Sequence, residues 1–236
     1  MNILIDFILC ILVLLVLWAA SGKNTIVTIA RFLALVLSVT GATLLADWAA
    51  VPLSEKLPNP IVYTAANEMA ELIGTPTYES ADKTLAQVDY DTLVAHPDFA
   101  ELVTSYGRTE ADLKQLLAEQ TDDKATAIAQ HLAAPLWQTI LHAVLLCGIT
   151  LLLYVILVAI FKAVLYRSFP KDKKRRIAVF TVLFALLSAV IVVSYVAIPV
   201  MESFRPYSMG IMKSLHWNYA CEQSALYRIF SMLYIL

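Results

Sequence analysis

The chain has little charge, little glycine and little cysteine for its length. Only 15% of its 236 residues are charged and 60% are hydrophobic, whereas a soluble domain carries about 25% charged residues. Its three cysteines are too few and too scattered for a disulfide framework. This composition argues against a soluble globular class and indicates a polytopic membrane protein.

Catalytic and cofactor signatures are also missing from the sequence. It contains no HExxH zinc motif, no GxSxG nucleophile motif, no glycine-rich phosphate loop and no histidine pair at i, i+4 spacing. It has no basic domain and no base-stacking platform for nucleic acid. We therefore expect no enzyme activity, no cofactor, no metal and no nucleic-acid partner.

Four apolar segments have the length that a membrane span needs. They cover roughly residues 3–20, 25–50, 136–166 and 177–200, and at 1.5 Å per residue such segments match a hydrocarbon core of about 30 Å. The first lacks the basic start of a signal peptide, so we expect it to be retained. The sequence predicts an all-α fold with four transmembrane helices, a TM1–TM2 hairpin in residues 1–50 and TM3, a basic loop and TM4 in 135–200.

Small residues recur at every fourth position of the second segment. At this spacing they share one helix face, which lets a neighbouring helix approach closely. We predict helix packing on this face, which is formed by Ala34, Ser38, Ala42 and Ala46.

Residues 51–134, called the insert below, are polar and acidic. They carry fourteen acidic and five basic side chains, a net charge of −9. Prolines 52, 58 and 60 predict that the second span breaks before the insert. Turn and capping residues then predict helices over about 60–73, 84–95, 99–106 and 110–119, and a last helix that starts at Asp122 and leads into the third span.

The tail, residues 201–236, ends in an apolar stretch that is too short to span. Residues 225–236 include Arg228. They predict an amphipathic helix that either lies at the membrane interface or packs against the insert.

A basic loop between the third and fourth spans predicts the topology. Positive charge favours the cytoplasmic side, so the insert and both termini are expected outside the cytoplasm. The same loop can also contact anionic lipid. Its basic residues are Arg167, Lys171, Lys173, Lys174, Arg175 and Arg176.

Three ionisable residues lie near the outer ends of the spans. Asp6 begins the first span, Asp47 ends the second and His142 begins the third. An Asp–His–Asp cluster there could bind a cation or relay a proton, because ionisable groups at membrane depth are costly and often functional. The alternative is that each only caps a helix or reaches the headgroups.

The order of segments resembles the CvpA family of bacterial inner-membrane proteins, named for colicin V production. The resemblance rests on an early Asp in the first span (NILID, 2–6), a tight turn (SGKN, 21–24), an Ala-rich end of the second span (LADWAAVPL, 45–53) and AAPL at 133–136. The turn has one glycine, Gly22, where the family has two, and the sequence at 173–177 replaces its Asn-x-x-Leu-Gly element. The resemblance implies an integral membrane protein linked to toxin production or export, or to another envelope process.

Two functional hypotheses follow from these observations. The first is a non-enzymatic membrane protein that holds the acidic insert outside the cytoplasm, where it meets a protein partner or another copy of the chain. The second is a small transporter or channel subunit that uses the outer Asp/His cluster.

Overall fold

The computed structural model describes residues 2–20, 25–109, 111–112, 123–168, 178–214 and 216–235. All regular structure in these ranges is helical, which confirms the all-α prediction for them. Contacts group the chain into two compact units. The first comprises Met1–Ala49, His142–Ser203 and Asn218–Leu236, and the second comprises Ala50–Leu141 and Phe204–Trp217.

The helices are numbered in chain order along the described ranges. They are α1 (Asn2–Ala20), α2 (Thr25–Lys56), α3 (Ile61–Leu72), α4 (Ala81–Leu85), α5 (Tyr90–Ala95), α6 (Phe99–Ser105), α7 (Lys124–Ser168), α8 (Ala178–Val192), a π-helical segment (Val193–Ala197), α9 (Ile198–Ser203), α10 (Gly210–Ser214), α11 (Trp217–Gln223) and α12 (Ala225–Ile235).

Three helical stretches of the described chain are long and apolar enough to cross a membrane. They are Val27–Lys56 in α2, Lys124–Val164 in α7 and Val179–Ser203, which runs from α8 through α9. The apolar part of α1, Leu4–Ala19, is shorter. These lengths and compositions indicate a membrane protein, and three of the four expected spans have this support.

The predicted break of the second span at Pro52 is wrong. Helix α2 continues through Pro52 to Lys56. The Leu57 amide still donates to the Leu53 carbonyl at 2.9 Å, and the Ser54 hydroxyl donates to the Val51 carbonyl at 2.7 Å. A proline removes a single helix donor, and the bond from Leu57 to Leu53 shows that the α-helical pattern continues beyond it.

The fourth span contains a π-helical segment that the sequence analysis did not predict. The amide of Ile198 donates to the carbonyl of Val193, five residues earlier. Pro199 follows immediately and lacks the N–H that would bond to the carbonyl of Tyr195 in an α-helix. The proline therefore explains why the helix widens at this point.

The second unit has a hydrophobic core of its own. Side chains from α3 to α6 and from the first turns of α7 meet in it, and burying each large apolar side chain contributes about 1.5–3 kcal/mol. Its largest fully buried members are Met69, Leu93, Val103, Tyr106, Ile128 and Leu132.

Two glycines end helices of the second unit, close to the predicted helix ends at residues 73 and 106. Gly74 and Gly107 both have φ of +69°. The amide after each glycine donates to a carbonyl five residues back: Thr75 to Ala70 at 2.8 Å and Arg108 to Val103 at 3.2 Å. This is the Schellman arrangement, and the left-handed φ that it requires favours glycine.

Other boundaries differ from the expected ones. The helix predicted over 84–95 is instead two short helices, α4 and α5, because Asp89 caps α5 by accepting from the amide of Thr92. The expected helix 110–119 lies almost entirely outside the described residues. The continuous passage from the insert into the third span is confirmed, since α7 runs from Lys124 to Ser168. The tail is divided: residues 204–217 belong to the second unit and 218–236 to the first.

Candidate functional site

The basic loop contributes little that can be described structurally. Lys171, Lys173, Lys174, Arg175 and Arg176 lie outside the described residues. Arg167 is within the described backbone of α7, but its side chain is not described. Their role in topology or lipid contact stays a prediction.

The small face of α2 is buried. Ala34, Ser38, Ala42 and Ala46 have no exposed surface. In the first unit, Ala42 and Ala46 belong to a hydrophobic cluster with Leu146 of α7 and Val196 of the π-helical segment. Beside this face, a Cβ added to Gly41 would lie 3.2 Å from Cδ1 of Leu153. Small side chains therefore permit a close approach of α7 to α2.

Two of the three predicted polar residues meet. Nε2 of His142 lies 2.9 Å from Oδ1 of Asp47, so α7 and α2 are joined by a hydrogen bond in the first unit. The Asp47 side chain is 72% exposed and that of His142 is 28% exposed. The pair therefore brings an imidazole and a largely exposed carboxylate to hydrogen-bonding distance.

Asp6 is engaged at a different place. Its Oδ1 accepts a hydrogen bond from the Ser224 hydroxyl at 2.6 Å and another from the Leu226 amide at 3.0 Å. The Ser224 oxygen in turn accepts from the Tyr227 amide at 3.0 Å. Ser224 and Asp6 together satisfy free amides at the start of α12, so this carboxylate acts as a cap contributed by another helix.

Helix α12 is joined to the end of the fourth span as well. The Tyr227 hydroxyl donates to Oε1 of Glu202, and the rings of Tyr234 and Tyr195 meet edge to face with centroids 6.3 Å apart. These contacts and the Asp6 cap connect three segments of the first unit through polar or aromatic groups.

An acidic cleft lies in the second unit. It has a volume of about 440 Å³. Its acidic residues come from α3 and from α6 with the residue before it, and its one basic lining residue, Lys213, approaches Glu101 with Nζ 3.5 Å from Oε1. Four carboxylates face one ammonium group, so the cleft favours cationic groups. The acids are Glu68, Glu71, Asp98 and Glu101.

Burial changes the pKa of one of these acids. It raises the pKa of the Glu68 carboxyl, the negative charge of Glu71 raises that pKa further, and interaction with Tyr106 partly opposes the rise. The buried Tyr106 hydroxyl makes no hydrogen bond of good geometry, and burial next to Glu68 raises its pKa. Tyr106 therefore stays neutral at physiological pH, while Glu68 takes up a proton more readily than an exposed glutamate.

Sequence reasoning missed Ser224, Tyr227 and the cleft. Ser224 stands directly before an apolar run, which is the ordinary signal of a helix cap. Glu68 and Glu71 have the i, i+3 spacing that places two side chains on one helix face. Neither signal indicates which distant residue lies opposite, because that depends on tertiary packing.

Among the described residues, no group of three or more His, Cys, Asp or Glu side chains could hold a metal ion. No family model, curated protein or solved structure matches the chain.

Proposed function

We propose that this chain is a non-enzymatic, multi-pass membrane protein that holds an acidic helical domain outside the cytoplasm for binding to a protein partner or a second copy. The observation that carries this proposal is the second unit. It has its own buried core and an acidic cleft, in a chain whose long helices expose apolar side chains.

The proposal includes α1 as a fourth span. Its 19 residues extend about 28 Å at 1.5 Å per residue, close to the thickness of the hydrocarbon core. Large apolar side chains are exposed along α1, as lipid contact requires; they include Phe7 at 63%, Leu14 at 59% and Trp18 at 80%.

The orientation follows from the basic loop at 167–176. Its positive charge favours the cytoplasm, which assigns the insert and both termini to the other side. The resemblance to the CvpA family supports placement in a bacterial inner membrane, and toxin production or export, or another envelope process, as the setting.

A labelling experiment tests the orientation. Gln87→Cys, on the exposed surface of the insert, is expected to react with a membrane-impermeant maleimide in intact cells. Lys173→Cys, in the basic loop, is expected to react only after permeabilisation. Both variants are made after Cys10, Cys147 and Cys221 have been replaced by alanine. The opposite pattern would contradict the orientation.

A crosslinking experiment tests the partner. A photoreactive residue at Glu71, in the cleft, is expected to give an adduct of one defined mass in native membranes. The same residue at Lys83, exposed outside the cleft, is the matched control and should give none. An adduct of twice the chain mass would identify self-association. Equal labelling at both positions, or none at either, would count against the cleft as the binding surface.

The second candidate function is a small transporter or channel subunit. The Asp47–His142 hydrogen bond is the observation that favours it. Proton or cation flux in proteoliposomes that disappears in His142→Ala and in Asp47→Asn would support it. Flux that is absent in the unmodified protein would argue against it.

A further inference from the structure

We propose that α12 enters the bilayer beside the fourth span, antiparallel to it, and that its exposed apolar face contacts lipid acyl chains. This inference rests on the proposed membrane-spanning role of α1 and of the segment from α8 to α9. In this arrangement α12 does not lie flat at the membrane interface. It descends into the leaflet that holds the start of α1.

Two contacts give the register of α12 against the fourth span. Tyr227 donates its hydroxyl to Glu202, and Tyr234 packs against Tyr195. The partners are seven residues apart on both helices, and they run in opposite order. Helix α12 is therefore antiparallel to the end of the fourth span, and seven residues advance it by about 10 Å.

The direction of this advance is toward the middle of the span. Glu202 is next to the end of the apolar stretch Val179–Ser203, whereas Tyr195 lies well inside it. The N-terminus of α12 is held at Asp6, near the start of α1. The first turn of α12 thus lies at the level where α1 begins and the fourth span ends, and its last turn lies at the level of the interior of the fourth span.

The exposed surface of α12 matches this depth. Ile229 is 57% exposed, Met232 is 67% exposed and Tyr234 is 43% exposed. The spans expose apolar side chains in the same way, and for such surfaces lipid is the occupant that the hydrophobic effect favours. Arg228, the one charged residue of α12, lies near its start and is attracted to Asp6, so it can keep its guanidinium at the membrane surface.

The polar start of the helix explains how it is anchored. Amides at the start of a helix lack partners within it, and Ser224 and Asp6 supply acceptors for those of Leu226 and Tyr227. The 11 residues of α12 extend about 16 Å, so a helix that enters along the membrane normal carries its last turn well below the membrane surface.

Spin labels on one face of α12 test the inference. Ala225, Ile229 and Met232 are all exposed and follow i, i+4, i+7 spacing, so they share a face. Each is changed to Cys in the full chain with its native cysteines replaced by alanine. The protein is labelled with a nitroxide, and it is reconstituted in phosphatidylcholine–phosphatidylglycerol vesicles. Depth is measured from collisions with oxygen and with a water-soluble nickel chelate.

A helix that enters the bilayer gives depths that increase from Ala225→Cys to Met232→Cys, by about 6 Å at Ile229→Cys and about 10 Å at Met232→Cys for a helix along the membrane normal. Equal depths at the three positions would show a flat interfacial helix and overturn the inference. Uniform contact with the nickel chelate would also overturn it.

Two controls separate this inference from the proposed function. Labels at Leu183→Cys and Leu187→Cys, exposed on α8, should be deep whether or not α12 inserts. If they contact the nickel chelate, the membrane span itself fails. The unmodified chain gives a second measurement that needs no cysteine variant: a bilayer-partitioning diazirine should label the peptide containing Ile229 and Met232, and absence of that label would overturn the inference.

Discussion

Replacing Ala42 by leucine tests whether the small face of α2 holds the first unit together. Ala42 has no exposed surface, and its cluster includes Leu146 of α7 and Val196 of the π-helical segment. The side chain of leucine has three more carbons than that of alanine, and α7 is already so close that a Cβ on Gly41 would lie 3.2 Å from Leu153. The new side chain must therefore displace a helix or adopt a strained rotamer.

The expected cost of Ala42→Leu is about 1–3 kcal/mol, the usual range for overpacking a well-filled core. At 1.36 kcal/mol per tenfold change, this lowers the folding equilibrium constant by about 5- to 160-fold. The measurement is reversible unfolding of the full chain in mixed micelles, with sodium dodecyl sulfate as the denaturant and tryptophan fluorescence as the signal.

Thr40→Leu is the matched control, because Thr40 lies on an exposed part of the same helix. Its hydroxyl donates only to the Val36 carbonyl of its own helix, at 3.0 Å. An exposed substitution of this kind is expected to change the free energy of unfolding by less than about 0.5 kcal/mol. Equal effects of Ala42→Leu and Thr40→Leu would refute the close packing of α7 against α2.

Three further predictions concern residues outside the spans. Burial raises the pKa of Glu68, so ionisation of this carboxyl opposes folding. Glu68→Gln should therefore have the same thermal midpoint as the wild type below pH 4.5 and a higher one as the pH rises through the raised pKa. Gly107→Ala should lower the free energy of unfolding more than Gly74→Ala, because both have φ of +69° but an added Cβ meets another residue within 3.4 Å only at Gly107; chemical denaturation of the two variants measures the difference. The Thr126 amide donates to Oδ1 of Asp123 at 3.0 Å, so Asp123→Ala should cost about 1 kcal/mol by removing this cap of α7, with faster amide exchange at residues 124–127 as the local readout.

Local sequence signals predicted much of the first unit correctly. The apolar runs define the long helices, and the i+4 spacing of small residues on α2 coincides with a buried face, because both depend on a short stretch of chain. The expected helix break at Pro52 is an exception. A proline is a strong local signal to end a helix, yet α2 continues through it to Lys56, and the Leu57 amide still donates to the Leu53 carbonyl.

The acidic cleft could not be predicted in the same way. Glu68 and Glu71 are on one face of α3, which their spacing indicates, but Glu101 and Lys213 are separated from them by many residues. These residues come together only when the second unit packs around its hydrophobic core, which includes Met69, Leu93 and Leu132. The excess of acid was visible in the sequence, whereas the concave arrangement of four of these acids was not.

The polar residues near the span ends show most clearly what could and could not be predicted from the sequence. The distance of Asp6, Asp47 and His142 from the ends of their spans predicted one common level along the membrane normal, and Asp47 and His142 do meet. Depth alone does not decide which side chains meet, however, because each residue is also rotated by about 100° around the helix axis relative to the one before it.

The direction in which α1 faces its neighbours decides the partner of Asp6, and α1 is apolar on all sides, so its sequence carries little information on that direction. In the folded chain Ile5 and Leu9 are buried, at 3% and 1% exposure. Asp6, beside Ile5, meets Ser224 and the first amides of α12. A carboxylate that seemed a candidate for ion binding is thus a helix cap, and this assignment required the position of a helix more than 200 residues away in the chain.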